Sequence, residues 1–287
     1  MIIDGLKPGI YFGLAAELYH KDTALSRSDL VNLLDTPNSY WVNSWMNKNR
    51  PARIATDPME YGEAFHTLLF EPEKFNRTYQ ILPIDEWVHD KKKIQYVDYM
   101  AMVESIKVLR AGANSNLFLS GGYPEVTIVF DEDGIRYRTR HDYFTPVCSP
   151  DFKTTISLNE EHLKRDFRKF GYDIQMERYL TSRRRFREQF AAGEAHVYGK
   201  VEREFMEKFM RSDIDEFMFI FQRKTKPYPF EPLVPEDDTY DSGADKVRKA
   251  VAIYRRHMKE FGPHKEWPVC NGKLKSFSMY YGIREGH

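Results

Sequence analysis

Asp151, Phe152 and Lys153 are the three consecutive residues of this chain whose types and spacing point most directly to chemistry. On a β-strand, residues two apart project from the same face, so the Asp151 carboxylate and the Lys153 ammonium would stand side by side. Asp142 lies just upstream, in an alternating stretch from Ile135 to Phe144. If the two strands pair, two carboxylates and a lysine converge where oxygen ligands can hold a hard cation such as Mg²⁺, with Lys153 beside an attacking water. Phosphodiester cleavage needs that combination. Negative charge builds on the phosphate and the leaving oxygen, and a divalent cation with a fixed ammonium stabilises it where it develops. Taken alone, the triplet is short and common and also reads as a surface ion pair on a strand. Arg136, Arg138 and Arg140 share the parity of Asp142, so all four are expected on one strand face. Such a row of arginines suits phosphate contacts, and it equally suits a strand that faces water.

Elements that could hold these groups are legible in the flanking sequence. A short helix is predicted from Ser26 to Leu34, capped by Ser26 or Ser28 and ending before Pro37. From Pro58 to Leu69, the spacing of Met59, Phe65, Leu68 and Leu69 predicts a helix with one buried face, stopped by Pro72 and carrying His66. A further helix is expected from Ile94 to Leu109. Alternation at Val126, Ile128 and Phe130, a turn over Asp131 to Gly134, and renewed alternation from Ile135 to Phe144 predict a hairpin. A third strand should carry Asp151 to Thr154. Ser157 and Glu160 have capping-box spacing for a helix that Gly171 would end, and a second helix is expected from Asp173 to about Arg184. Beyond these, Phe217 to Gln222 and Phe230 to Val234 read as strands, Pro235 to Gly243 as an acidic loop, and Asp245 to Phe261 as a long helix. This order implies an α/β fold, a mixed central β-sheet flanked by helices.

Composition narrows the class of partner. With 41% hydrophobic and 15% aromatic residues among 287, the chain can build a substantial core. Lys plus Arg and Asp plus Glu both number 43, so any surface for nucleic acid must be local. Basic clusters occur at Lys91 to Lys93, Arg183 to Arg187, and Arg255 with Arg256, and each taken alone reads as the solvated face of a helix. Two cysteines, Cys148 and Cys270, argue against a disulfide framework, a structural zinc site or an iron–sulfur cluster. The chain opens Met-Ile-Ile-Asp-Gly, without a basic and then apolar leader, and has no run of about 18 apolar residues. The expectation is a cytoplasmic protein that neither spans nor docks on a membrane.

Four motifs, in order, resemble the PD-(D/E)XK nucleases, in particular the RecB-like branch and the RecE-type exodeoxyribonuclease VIII of phages and prophages. Tyr61-Gly62-Glu63-Ala64-Phe65-His66 is similar to the family's Gly-x-x-x-His helix, and Arg138-Thr139-Arg140-His141-Asp142 to the strand ending in the first metal-binding aspartate. Asp151-Phe152-Lys153-Thr154-Thr155 resembles the Asp-x-Lys-Thr strand, and the stretch from Gly171 to Tyr179 resembles the Gln-x-x-x-Tyr helix through Gln175 and Tyr179. Glu125, after Pro124, matches an acidic position near the metal more loosely. The resemblance covers about residues 26 to 180 and implies a restriction-endonuclease-like core.

By that resemblance His66, Asp142 and Asp151 hold Mg²⁺, for which Mn²⁺ can substitute, with the Phe152 carbonyl as a further ligand and Glu125 completing the shell. Lys153 positions or activates water, Gln175 and Tyr179 orient the phosphate or the lysine, and Arg138 and Arg140, with Arg136, contact the DNA backbone. The implied activity is exonucleolytic digestion of double-stranded DNA from its ends, 5′ to 3′, leaving 3′ tails for a single-strand annealing protein. An endonuclease of the same fold and a non-catalytic DNA-binding recombination partner are the alternatives. No Walker phosphate-binding loop is present, so a helicase–nuclease fusion is not expected. The chain is expected to be one nuclease domain over residues 1–287, with a catalytic core at 26–185 and a C-terminal elaboration at 186–287 that serves as oligomer contact or DNA guide. Zero net charge gives a processive enzyme little electrostatic hold on a polyanion. A closed ring of three or four subunits, as in RecE-type and lambda-type exonucleases, would supply the hold by topology, with acidic segments such as Glu236 to Asp238 facing outward.

Overall fold

The computed structural model describes residues 5–52, 55–83 and 90–269, and the backbone of two further strands, Lys275–Ser278 and Gly282–Glu285. It divides into two compact units, residues 1–27 with 53–245, and residues 28–52 with 246–287. The architecture is α/β, with mixed sheets flanked by helices.

Two sheets of the first unit position the residues singled out above. One has four strands, in the order Ile135–Phe144, Tyr123–Glu132, Gly9–Tyr11 and His196–Tyr198, the last pair parallel and the others antiparallel. The other has three, Cys148–Thr155, Glu216–Arg223 and Phe230–Leu233, parallel and then antiparallel. The expected hairpin forms, but its second arm does not pair with the Asp-x-Lys strand. The two leave a tight turn closed by the Thr145 N–H on the Cys148 carbonyl at 2.9 Å and then belong to separate sheets. In place of a ladder bond, the Asp142 carboxylate accepts the Phe152 N–H at 2.9 Å. A carboxylate thus lies in the fork between the sheets.

Alternation explains why Asp151 and Lys153 face one way and Phe152 the other. The register sets Asp151 beside Phe219, Phe152 beside Ile220 and Lys153 beside Phe221. Phe217, Phe219 and Phe221 pack with Leu163, Tyr172, Met176 and Tyr179. Phe152 and Ile220 pack on the opposite face with Phe65, Met102 and Phe118. Because both faces are covered, Glu216–Arg223 reads as a continuous apolar run rather than an alternating one. This strand lies well past residue 185 and packs on both faces of the sheet.

Several boundaries shift for local reasons. The Glu160–Phe170 helix is capped by Asn159, whose side chain accepts the Glu161 N–H at 3.0 Å; Ser157 instead accepts the Asn159 N–H at 3.1 Å. Gly171 ends that helix as expected, at φ 62° in the left-handed region that glycine tolerates, and the next helix, Tyr172–Ala191, is longer than predicted. The segment read as an acidic loop is largely helix, since the long helix spans Asp237–Glu260. Asp237 and Asp238 stabilise its first turn against the helix dipole. Gly243 lies inside it because a Cβ there would fall 2.3 Å from the Asp173 carbonyl oxygen, and the neighbouring Ser242 hydroxyl donates to the Asp173 carboxylate at 2.7 Å.

In the second unit, Tyr40 of the helix Pro37–Asn43 stands with Tyr254 and the fully buried Trp267, at centroid separations of 5.7 and 5.5 Å. The Asn38 side-chain amide donates to the Trp267 carbonyl and the Trp41 indole N–H to that of Pro263. Cys148 is a buried free thiol, and Cys270 lies outside the described residues.

Candidate metal centre

His66 rides on the helix Asp57–Phe70, whose buried Phe65 and Leu69 anchor it against the core. Its Nε2 lies 2.9 Å from the Phe152 carbonyl oxygen and 3.7 Å from the Asp142 carboxylate. Glu125 arrives from the neighbouring strand. The pairs Pro124–Tyr143 and Val126–His141 leave it opposite Asp142 across the ladder. Its φ of 53° is in the left-handed region, a conformation that costs a non-glycine residue about 1 kcal/mol or more and is typical of functional sites. Ligand atoms of His66, Glu125 and Asp142 all lie within 4.8 Å of one another.

This donor set fits a hard divalent cation. Around an octahedral ion with bonds of about 2.1 Å, adjacent ligands are about 3 Å apart and opposite ones about 4 Å. The 2.9 and 3.7 Å separations of His66 from the Phe152 carbonyl and Asp142 fall in that range. Two carboxylates, a carbonyl and one imidazole suit Mg²⁺ or Mn²⁺ better than a thiophilic ion. Burial, with Asp151 nearby, pushes the Asp142 carboxyl up to about 6 despite His66 and Lys153, and Glu125 adds to the rise. A bound cation would relieve that crowding of negative charge.

Asp151 acts on Asp142 from the next strand. It is fully buried, its carboxylate pairs with the Lys153 ammonium and accepts the Gln175 side-chain N–H, and it is not among the three clustered groups. Burial would depress the Lys153 pKa, but Asp151 and then Asp142 outweigh it and hold it above the ordinary lysine value. The Lys153 ammonium also stands 5.2 Å from the centroid of the Tyr172 ring. Gln175 therefore holds Asp151 rather than the lysine. Tyr179 donates its hydroxyl to the Arg140 carbonyl and packs on His141 at 4.3 Å, so it steadies the Asp142 strand. Burial and the two aspartates raise its pKa well above the usual value, which keeps it a donor.

The arginine row is engaged by the chain itself. Arg136 pairs with Asp131 at 2.8 Å. Arg138 is buried, donates to the carbonyls of Asp22 and Ala24, and lies 3.6 Å from the Asp22 carboxylate. Arg140 pairs with Glu125 and donates to the Leu14 carbonyl at 3.1 Å. Arg138 and Arg140 both approach the Tyr19 ring. Strand parity is as expected; the N-terminal segment takes Arg138 inward, while Arg136 and Arg140 pair chiefly with Asp131 and Glu125. Arg140 alone of the three touches the metal cluster, through Glu125. No spacing rule links residue 140 to residues 14 and 125.

An Asp-x-Lys strand splayed from its neighbour at a carboxylate, with a helix histidine closing the fork, defines a PDDEXK-like nuclease fold. The chain belongs to the family described as PDDEXK-like domain of unknown function (DUF3799), which matches residues 26–277. A crystal structure from Eubacterium rectale, provisionally described as an exonuclease, superposes with a TM-score of 0.54 at 13% identity, over 93% of this chain and 96% of that one. No curated protein matches the chain. Among the described residues, no helix is long and apolar enough to cross a membrane.

Linkage gives the sign of a testable effect. A carboxyl whose folded pKa is raised stabilises the fold most below its unfolded value of about 4, and that contribution is lost as pH rises through about 6. Without divalent cation, wild type should therefore melt below Asp142→Asn at pH 8, and the gap should close as pH falls towards 4. Mg²⁺ should raise the wild-type melting temperature more at pH 8 than at pH 5 and leave the variant nearly unmoved. Equal Mg²⁺ shifts in both proteins would remove Asp142 from the metal site.

Proposed function

We propose that this chain is a divalent-metal-dependent exonuclease of double-stranded DNA, using Mg²⁺, running 5′ to 3′ and leaving 3′ single-stranded tails. The observation that carries the reading is the clustering of His66, Glu125 and Asp142 at the Phe152 carbonyl, beside a half-buried Lys153 that stays protonated. The fold of the family and the description of the similar Eubacterium rectale protein support it.

In this reading His66, Glu125, Asp142 and the Phe152 carbonyl would hold the ion, which when bound supplies Lewis acidity at the phosphate and lowers the pKa of water. Lys153, fixed by Asp151, orients the water and offsets charge on the phosphate oxygens. Gln175 holds Asp151, and through it the lysine. Tyr179 fixes the Arg140 carbonyl, two residues from Asp142. Arg140, held by Glu125, is the guanidinium placed to meet a phosphate at the cluster.

RecE-type specificity, a ring of three or four subunits, a single-strand annealing partner and a cytoplasmic setting complete the proposal. One gel tests its centre. With Mg²⁺, linear duplex labelled at the 5′ end should release label first, a 3′ label should persist on long products, and closed circular and single-stranded DNA should survive. Nicking of the closed circle would replace the exonuclease with an endonuclease, and no cleavage of any substrate would leave only a DNA-binding partner. Light scattering that gives a monomer mass would discard the ring.

A further inference from the structure

From Lys246 to Lys259 the chain carries six Lys and Arg (Lys246, Arg248, Lys249, Arg255, Arg256 and Lys259) and no Asp or Glu, although the whole sequence has 43 residues of each sign. The whole run lies in the helix Asp237–Glu260 and in the second compact unit. Val247, Ala250 and His257 are buried at helical spacing, and Tyr254 packs against Tyr40 and Trp267. This inner face fixes which way the helix is turned. Arg248, Lys249, Arg255, Arg256 and Lys259 are all exposed, as is Ala252 between them. Arg248, Ala252, Arg255 and Lys259 follow the i, i+4, i+7, i+11 pattern of one stripe, and Lys249 and Arg256 flank it, about 100° round the helix.

The helix dipole explains little of this. Its effect is confined to the last turn, so it favours Lys259 but not Arg248 or Lys249. A protein partner would want an apolar centre ringed by polar groups, and this stripe has only Ala252 at its middle. A row of cations with a small, unobstructed centre suits a regular polyanion. At a rise of 1.5 Å per residue, Arg248 to Lys259 spans about 16 Å, the axial length of about five base pairs of duplex.

We propose that this basic stripe is a sequence-independent docking surface for the backbone of duplex DNA, which gives a chain of zero net charge a local hold on its substrate. The inference rests on the nuclease reading above and names where the duplex is gripped outside the metal centre. Contacts of this kind neutralise phosphates without reading bases, so they should show as salt dependence.

The test uses the full chain in Ca²⁺ in place of Mg²⁺, a blunt labelled duplex, and the variant Arg255→Ala/Arg256→Ala/Lys259→Ala. Each phosphate contact is worth about 3.5-fold in affinity between about 50 and 200 mM salt, so the variant's deficit should shrink by about 40-fold over that interval. It should be the same for unrelated duplex sequences. Arg255→Lys/Arg256→Lys, which keeps the charge, should bind like wild type and guards against a folding defect. If wild type cuts linear duplex but the triple variant binds it with equal affinity and equal salt dependence, the stripe is not the grip and the nuclease stands. If polyglutamate of matched charge displaces the stripe's contribution as well as duplex does, an acidic protein is the better partner and the proposal falls. Wild type that neither binds nor cuts duplex overturns the nuclease reading and this inference together.

Discussion

Lys153→Met is expected to slow DNA cleavage by about a thousandfold or more, equivalent to roughly 4 kcal/mol of transition-state stabilisation, while leaving duplex binding in Ca²⁺ nearly intact. The methionine keeps most of the volume and removes the ammonium. In the wild type that ammonium is half-buried, held by Asp151, and kept charged against desolvation. It is therefore pre-placed, so no reorganisation is needed when charge develops on the phosphate. Asp142→Ala and Asp151→Ala should be as inactive for different reasons. The first loses a member of the cation cluster and the acceptor of the Phe152 N–H. The second leaves a half-buried ammonium without its main partner, so it should also lower stability by about 1–3 kcal/mol. Single-turnover cleavage of end-labelled duplex beside thermal melts separates these effects. Near-normal turnover in any of the three, with the fold intact, removes that residue from the chemistry.

Arg183→Met is expected to cost 3–5 kcal/mol of stability, on the order seen when one partner of a buried ion pair is removed. The side chain is completely buried and lies over Phe144 and Phe209, and burial lowers its pKa despite Asp215. Its guanidinium pairs with Asp215 at 2.7 Å and donates to the carbonyls of Thr145 at 3.1 Å and Pro146 at 2.7 Å. These carbonyls belong to the turn from which the strands bearing Asp142 and Asp151 diverge. Asp215 keeps Arg187 as a second partner, so the exposed loss falls on the turn. Loosening it should widen the fork between Asp142 and Phe152 and weaken cation binding as well as the fold. Arg184→Ala, half exposed next door, should shift stability by less than about 0.5 kcal/mol. Urea midpoints and Mg²⁺ titrations measure both consequences. An Arg183→Met protein within 1 kcal/mol of wild type would show that the turn holds itself.

The Arg183 prediction rests on contacts that no local pattern encodes. Arg183 sits in a run of four arginines over Arg183 to Arg187 that reads as a solvated face, yet its side chain is wholly buried while Arg184 is half exposed. Helical phase separates them, but only the packing of the Tyr172–Ala191 helix on the sheets decides which phase is inside. The same applies to Gly243, which reads as a loop residue until the Asp173 carbonyl is seen to crowd it.

What the sequence determined by itself is what depends on neighbours within a few residues. The hairpin over Tyr123 to Phe144, the strand bearing Asp151 and Lys153, the His66 helix and the Gly171 stop follow from pleat, helical period and the left-handed tolerance of glycine. The tertiary structure decided how those groups are shared. It opened the fork in place of a paired ladder, brought His66 to the Phe152 carbonyl across 86 residues, and gave Asp151 to Lys153 and Gln175 while Glu125 joined Asp142. It also turned Arg138 inward onto Asp22, 116 residues away. The physical reason is that a buried charge must find its partner wherever the chain's packing brings one, and that partner carries no fixed spacing in the sequence.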